Sequence, residues 1–163
     1  MISKKMNGKL NGQIALEFDA SHAYLAMSCR LEEMGLKILA AFFSRQQEEE
    51  REHALKIIGY LHEVDGKVAL SPVAKPKSDY KSVRSIVEAA VKAELDVTKR
   101  INDVMNLAVA EKDHATASFL KWFVDEQVEE VAGMRDLLNL VKLAGTNLLQ
   151  VEARLRHEMA LKQ

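Results

Sequence analysis

Residues 37–66 read KILAAFFSRQQEEEREHALKIIGYLHEVDG, and they decide the fold. Leu39, Phe43, Ala54, Ile57 and Leu61 recur at the spacing of one helical face, no proline interrupts them, and Asp65-Gly66 supplies a stop. This predicts a helix over about residues 37–64. A run such as Glu48-Glu49-Glu50-Arg51-Glu52 is ordinarily a solvated helix face. Glu50 is different, because it is in step with Phe43 and Ile57 and so points to the apolar side, with His53 one turn further on.

Three more helices of similar length flank this one. Residues 3–34 carry an apolar stripe of Leu10, Ile14, Phe18, Leu25 and Leu31 and stop at Gly35. Residues 80–110 carry Ile86, Val87, Val91, Val97, Ile101, Val104 and Met105. Residues 113–143 carry Phe119, Leu120, Phe123, Met134, Leu137, Leu138 and Val141. Each predicted helix is about 28 to 32 residues, hence roughly 42 to 48 Å long. Four amphipathic helices of equal length bury their stripes only against one another, which predicts an all-α four-helix bundle in a single domain over 1–163. The first and second helices, and the third and fourth, are joined by short turns and form antiparallel hairpins. Between the hairpins lie about 14 residues with both prolines, Pro72 and Pro76, an extended reach of roughly 46 Å. That is one bundle length, so the simplest topology has a long crossover and parallel second and third helices. A slack loop between antiparallel neighbours is the less economical alternative. A short fifth helix, about 147–161, carries Leu148, Val151, Leu155 and Met159.

Composition removes several function classes. Lys and Arg number 23 against 24 Asp and Glu, and a net charge of −1 leaves no excess with which to hold a nucleic acid. With 48% hydrophobic and 29% charged residues the chain is expected to fold in water. The single Cys29 can close no internal disulfide and suits a reducing, cytoplasmic setting. No apolar stretch has the length of a signal peptide or a membrane span, so no membrane partner is expected.

The two hairpins repeat at an offset of 77 residues, and the repeat extends to polar positions. Glu17 matches Glu94, Glu50 matches Gln127 and His53 matches Glu130. Their distances from the turns at Gly35 and Lys112 agree, which places all six at one level in mid-bundle, and their phase turns them inward. Carboxylates converging in an apolar core cannot all stay ionised without positive charge, and no Lys or Arg occupies a matching inward position. Protonation, water or a multivalent cation are the remaining options. Carboxylates with an imidazole suit a first-row metal such as iron or manganese, and four or more carboxylates suit two ions sharing a bridge. A second Glu-x-x-His, Glu111 to His114, falls at a turn and reads as solvated, as do His22 and His62 on their helices. The scattered methionines read as core filler, and Trp122 as a side chain buried beside the bundle.

At these residues the chain resembles the non-haem ferritins of bacteria, over essentially its whole length. The matching pieces are Glu17 and Tyr24, Glu50-x-x-His53, Glu94, and Asp125-Glu126-Gln127-Val128-Glu129-Glu130. The resemblance implies one iron at Glu17, Glu50 and His53 and a second at Glu50, Glu94 and Glu130, with Glu50 bridging. Gln127 would stand close behind, and Tyr24 would hydrogen-bond at the edge. A third iron site would use Glu49, Glu126 and Glu129 with help from Glu130. The implied activity is ferroxidation of Fe²⁺ by O₂ or H₂O₂, with storage of the mineral inside a hollow shell of 24 subunits whose fourfold channels the fifth helix lines. Haem is not expected, because Arg51 stands where bacterioferritins carry their haem methionine. Gln127-x-x-Glu130 replaces the second Glu-x-x-His of bacterioferritins and rubrerythrins, and one cysteine cannot build the rubrerythrin iron domain. A di-iron peroxidase or oxygenase, and a metal-free bundle, are the rival readings.

Overall fold

The computed structural model describes residues 2–161, which form five helices: α1 (Lys4–Glu33), α2 (Lys37–Glu63), α3 (Val83–Ala110), α4 (His114–Ala144) and α5 (Leu148–Leu161). There is no strand among the described residues. The bundle is the predicted one, with boundaries moved by capping. Ser3 accepts from the Met6 N–H at 3.0 Å and starts α1, and Asp113 accepts from the Thr116 N–H and starts α4. α3 begins at Val83 rather than near Tyr80, because Ser82 and Ser85 form a reciprocal capping box. The α1–α2 turn needs a positive φ at Gly35 (78°). At the end of α2, a side chain on Gly66 would approach the tips of Leu61 and Asn7 to under 3 Å, so a larger residue there would make those side chains shift.

The long connection follows the extended course predicted for a crossover. Asn7 and Asn11 bond the backbone of Lys67 and Ala69, Asp19 accepts from the Ala74 N–H, and Arg30 donates to the Tyr80 carbonyl at 2.8 Å. These contacts ascend both segments together, so the connection runs beside α1 for almost its full length. It delivers α3 to the far end of the bundle, and α2 and α3 run parallel. Ser3 hydrogen-bonds Glu111 at 2.7 Å, which closes the opposite end.

Burial follows a seven-residue rhythm. Leu10, Glu17, Tyr24 and Leu31 are buried on α1, Phe43, Glu50 and Ile57 on α2, Val87, Glu94, Ile101 and Ala108 on α3, and Leu120, Gln127, Met134 and Val141 on α4. A repeat of 3.5 rather than 3.6 imposes a gentle left-handed supercoil. It also corrects the predicted α1 stripe: Tyr24 takes the core position, Leu25 is 42% exposed and Phe18 only half-buried. The core is divided. One apolar block holds Tyr24, Met27, Phe43, Ile86, Leu137 and Val151, the other Leu10, Ile14, Ile57, Ile101, Leu120 and Phe123. The polar members of the seven-residue rhythm lie between them.

α5 packs on α2 and α4 through Val151 and Leu155. Its Glu152 carboxylate accepts from the Leu39 N–H at 2.7 Å and the Ile38 N–H at 3.2 Å. α2 has no side-chain cap of its own, so a residue over a hundred positions away supplies it.

Candidate metal centre

The polar layer is built by the helices that also bury it. Glu17, Glu50 and His53 each offer a ligand atom, and these atoms lie within 4.8 Å of one another. All three are buried, at 1%, 2% and 5% exposure. His53 Nδ1 stands 3.4 Å from Glu50 Oε2, and its ring packs edge-on against Phe123 and Trp122. Gln13, one turn before Glu17, donates from Nε2 to Glu17 Oε1 at 2.8 Å. Glu17 Oε2 and Glu50 Oε2 are buried with no donor from the rest of the protein, and the two carboxyls have only each other to share a proton with. An orphaned carboxylate oxygen in a core is costly unless a proton or cation meets it.

Glu94 faces this group from α3 without joining it. The Tyr24 hydroxyl donates to Glu94 Oε1, and Gln127 Nε2 reaches toward Oε2 at 3.5 Å. Thr98 bonds Gln127 Oε1 at 2.8 Å and so turns the amide nitrogen toward Glu94. Glu130 is half-buried at the margin of the layer.

Burial sets the electrostatics. It pushes the Glu17 carboxyl well above the usual carboxylate range, with the charge of Glu50 adding to the effect. Glu50 is raised well above that range by burial and then by Glu94. Glu94 is raised by burial, against the opposing hydrogen bond from Tyr24. Glu130 is pushed up to about 8 by burial, then by the charges of Glu94 and Glu49. The Tyr24 phenol is raised well above its ordinary value by burial and then by Glu94. Four acids whose carboxyls are all raised by burial form a site in which a cation can take the place of protons. Two carboxylates with an imidazole fit a first-row divalent ion.

Glu49, Glu126 and Glu129 do not enter this layer. They line an open pocket of about 230 Å³ with Glu130, and Arg45 and Glu158 join them there. Gln46 donates to Glu49. Arg45 puts a positive charge at this mouth, although the deep layer has none. Trp122 corrects the expectation of burial: it is 37% exposed, with Lys56 Nζ 4.0 Å from its ring centre. Glu111, His114, His22 and His62 are exposed, as expected. Met6, Met27 and Met134 are buried core. The residues that sequence reasoning passed over are Gln13 and Thr98; each stands four positions from a layer acid on the same helix, a spacing that signals contact.

A four-helix bundle with inward carboxylates and an imidazole on facing helices defines the class of helical-bundle carboxylate metalloproteins. Within that class the chain belongs to the ferritin family: the model of the ferritin-like domain matches residues 7–144. It is 38% identical over 145 residues to a bacterial non-heme ferritin of Campylobacter jejuni, and 36% identical to one of Staphylococcus aureus, in each case over 89% of this chain and 87% of the relative. Among solved structures it resembles the open-pore ferritin of the archaeon Archaeoglobus fulgidus, with a TM-score of 0.92 and 37% identity, covering 94% of this chain and 96% of that one. A humanized archaeal ferritin superposes with a TM-score of 0.93 at 34% identity, covering 96% of each chain. No helix among the described residues is long and apolar enough to cross a membrane.

Proposed function

We propose that the chain stores iron, and that it oxidises Fe²⁺ at the polar layer before the iron is mineralised inside a cage of 24 copies in the cytoplasm. Membership of the ferritin family supports iron storage and oxidation in general. The observation that carries the site is the pair of orphaned oxygens on Glu17 and Glu50, facing each other beside His53. Iron is substrate here. Glu17, Glu50 and His53 hold the first Fe²⁺, and Glu50, Glu94 and Glu130 hold the second, with Glu50 shared. Each ion enters by displacing carboxyl protons. The oxygen-rich ligand set favours Fe³⁺ over Fe²⁺, so binding itself lowers the cost of oxidation. Dioxygen takes one electron from each of two irons and two protons, and leaves as hydrogen peroxide. Hydrogen peroxide, as the alternative oxidant, takes the same electrons and protons and leaves as two waters. Glu49, Glu126 and Glu129, with Glu130, hold a third iron in the open pocket next to the layer and pass it onward.

The test is one gel-filtration run with metal analysis, followed by anaerobic Fe²⁺ loading and admission of air. A particle of hundreds of kilodaltons that carries iron and oxidises Fe²⁺ quickly is expected, with Glu50→Ala losing the fast phase. A dimer without iron, or a Glu50→Ala chain that oxidises like the wild type, overturns the reading.

A further inference from the structure

Gln13 and Glu17 lie on one face of α1 with their side chains bonded at 2.8 Å, and both are at most 2% exposed. Pairs at this spacing are common on helix surfaces, where they serve local stability. This one is different in two respects. It sits in the core, and it engages one Glu17 oxygen while the other has no partner. The repeat provides an internal comparison. At the offset of 77 the counterpart of Gln13 is Ala90, fully buried and without a polar group, although α3 packs in the matching place. Bundle packing therefore does not require an amide at this position. The matching acid, Glu94, has protein donors directed at both of its oxygens instead.

We infer that Gln13 is a positioning residue that holds Glu17 to one-oxygen coordination, which leaves a position open for the oxidant at the first metal. The inference rests on the proposed function. A carboxylate with both oxygens free can close onto a metal as a bidentate ligand and fill the position an oxidant needs. The Gln13 N–H occupies Oε1, so bidentate closure would have to break a buried hydrogen bond. Only Oε2, the orphan, is then offered to the ion. Gln13 also borders an outward groove of about 700 Å³ between α1 and α3, next to Gly8 and Gly12.

The test uses Co²⁺ alone as the probe, titrated into metal-free wild-type protein, Gln13→Met and Gln13→Asn. Met matches the length of Gln without a donor, and Asn keeps the amide one methylene short of Glu17. Removing a hydrogen bond behind a metal ligand typically weakens the metal about 10–100-fold. The wild type should take up at least two Co²⁺ per chain. Both variants should show one of these weakened about 10-fold or more, with fainter ligand-field absorption as the ion moves from five- toward six-coordination. Should Gln13→Met fail to fold, Gln13→Asn carries the same expectation. Unchanged affinity and absorption in the folded variants overturn the inference alone. So does a weaker site with undiminished absorption, because Gln13 would then support Glu17 without restricting it. A wild-type chain that takes up no Co²⁺ overturns the proposed function together with this inference.

Discussion

Tyr24 and Glu94 stand seventy residues apart in the chain and meet in the middle of the bundle, where the phenol of α1 donates to the carboxyl of α3. The bond ties the first hairpin to the second across the polar layer. Tyr24→Phe keeps the ring and leaves Glu94 Oε1 without its donor. The metal-free protein should lose about 1–2 kcal/mol, as expected for one buried hydrogen bond. Urea unfolding with and without Zn²⁺ measures it, and the loss should shrink with the metal, since the oxygen then has a cation partner. Equal stability of variant and wild type without metal would contradict this.

The metal-free protein should become less stable as pH rises. Glu130 titrates near 8 in the folded chain, and a carboxyl in an unfolded chain titrates near its ordinary value of about 4.3. Between those values the folded state binds the extra proton, so stability falls with each rise in pH across the window, and the Glu130 contribution is fully lost above about 8. Glu17, Glu50 and Glu94 are raised as well and act in the same direction. Melting temperatures at about pH 6 and about pH 9 provide the check. A higher melting temperature at the alkaline value would mean that these acids are ionised in the fold.

Glu50→Leu should separate stability from function. It removes a buried acid with an orphaned oxygen and fills the space with hydrocarbon, which should stabilise the metal-free chain by about 1–3 kcal/mol. The same change removes the ligand shared by both proposed irons and should abolish fast Fe²⁺ oxidation. Denaturant midpoints and stopped-flow absorbance read the two effects. A Leu variant that is less stable would assign Glu50 a packing role that its orphaned oxygen contradicts.

Glu152→Ala should free α5 locally. It removes the cap at the N–H groups of Ile38 and Leu39, a loss of about 1 kcal/mol. Hydrogen exchange should accelerate in α5 and in the first turn of α2, with the first ten residues of α1 unaffected. Uniform acceleration along the chain would show that α5 is not held by this contact.

Much of this was legible in sequence, for physical reasons that differ from residue to residue. Glu17, Glu50 and Glu94 stood out because helical phase sorts inward from outward, and an inward acid without counter-charge needs a proton, water or a cation. The length of the connection favoured an extended crossover over a slack loop, and its hydrogen bonds to α1 decide between them. Leu25 misled because a 3.6-residue face and a 3.5-residue supercoil drift apart by about 20° per heptad, and over the roughly four turns from Leu10 the drift carries Leu25 outward and leaves Tyr24 in the buried place. Gln13 was invisible because a polar residue one turn from an acid could face water or that acid, and only packing decides. Glu152 reaches the start of α2 from more than a hundred residues away, and no local pattern encodes that. Trp122 stops at the surface because its neighbours His53 and Phe123 already fill the interior beside it.

The connection that climbs beside α1 reverses the second hairpin relative to the first. The two repeats are therefore related by a half-turn about an axis across the bundle, and that dyad passes through the level of Glu17 and Glu94. Two ions there would be symmetry mates in position and strangers in chemistry. Where the first would meet His53, the second would meet Glu130, and Gln127 stands where a twin of Glu50 would complete the symmetry. A duplicated frame has thus been made lopsided by two substitutions, so that one place offers nitrogen and the other only oxygen.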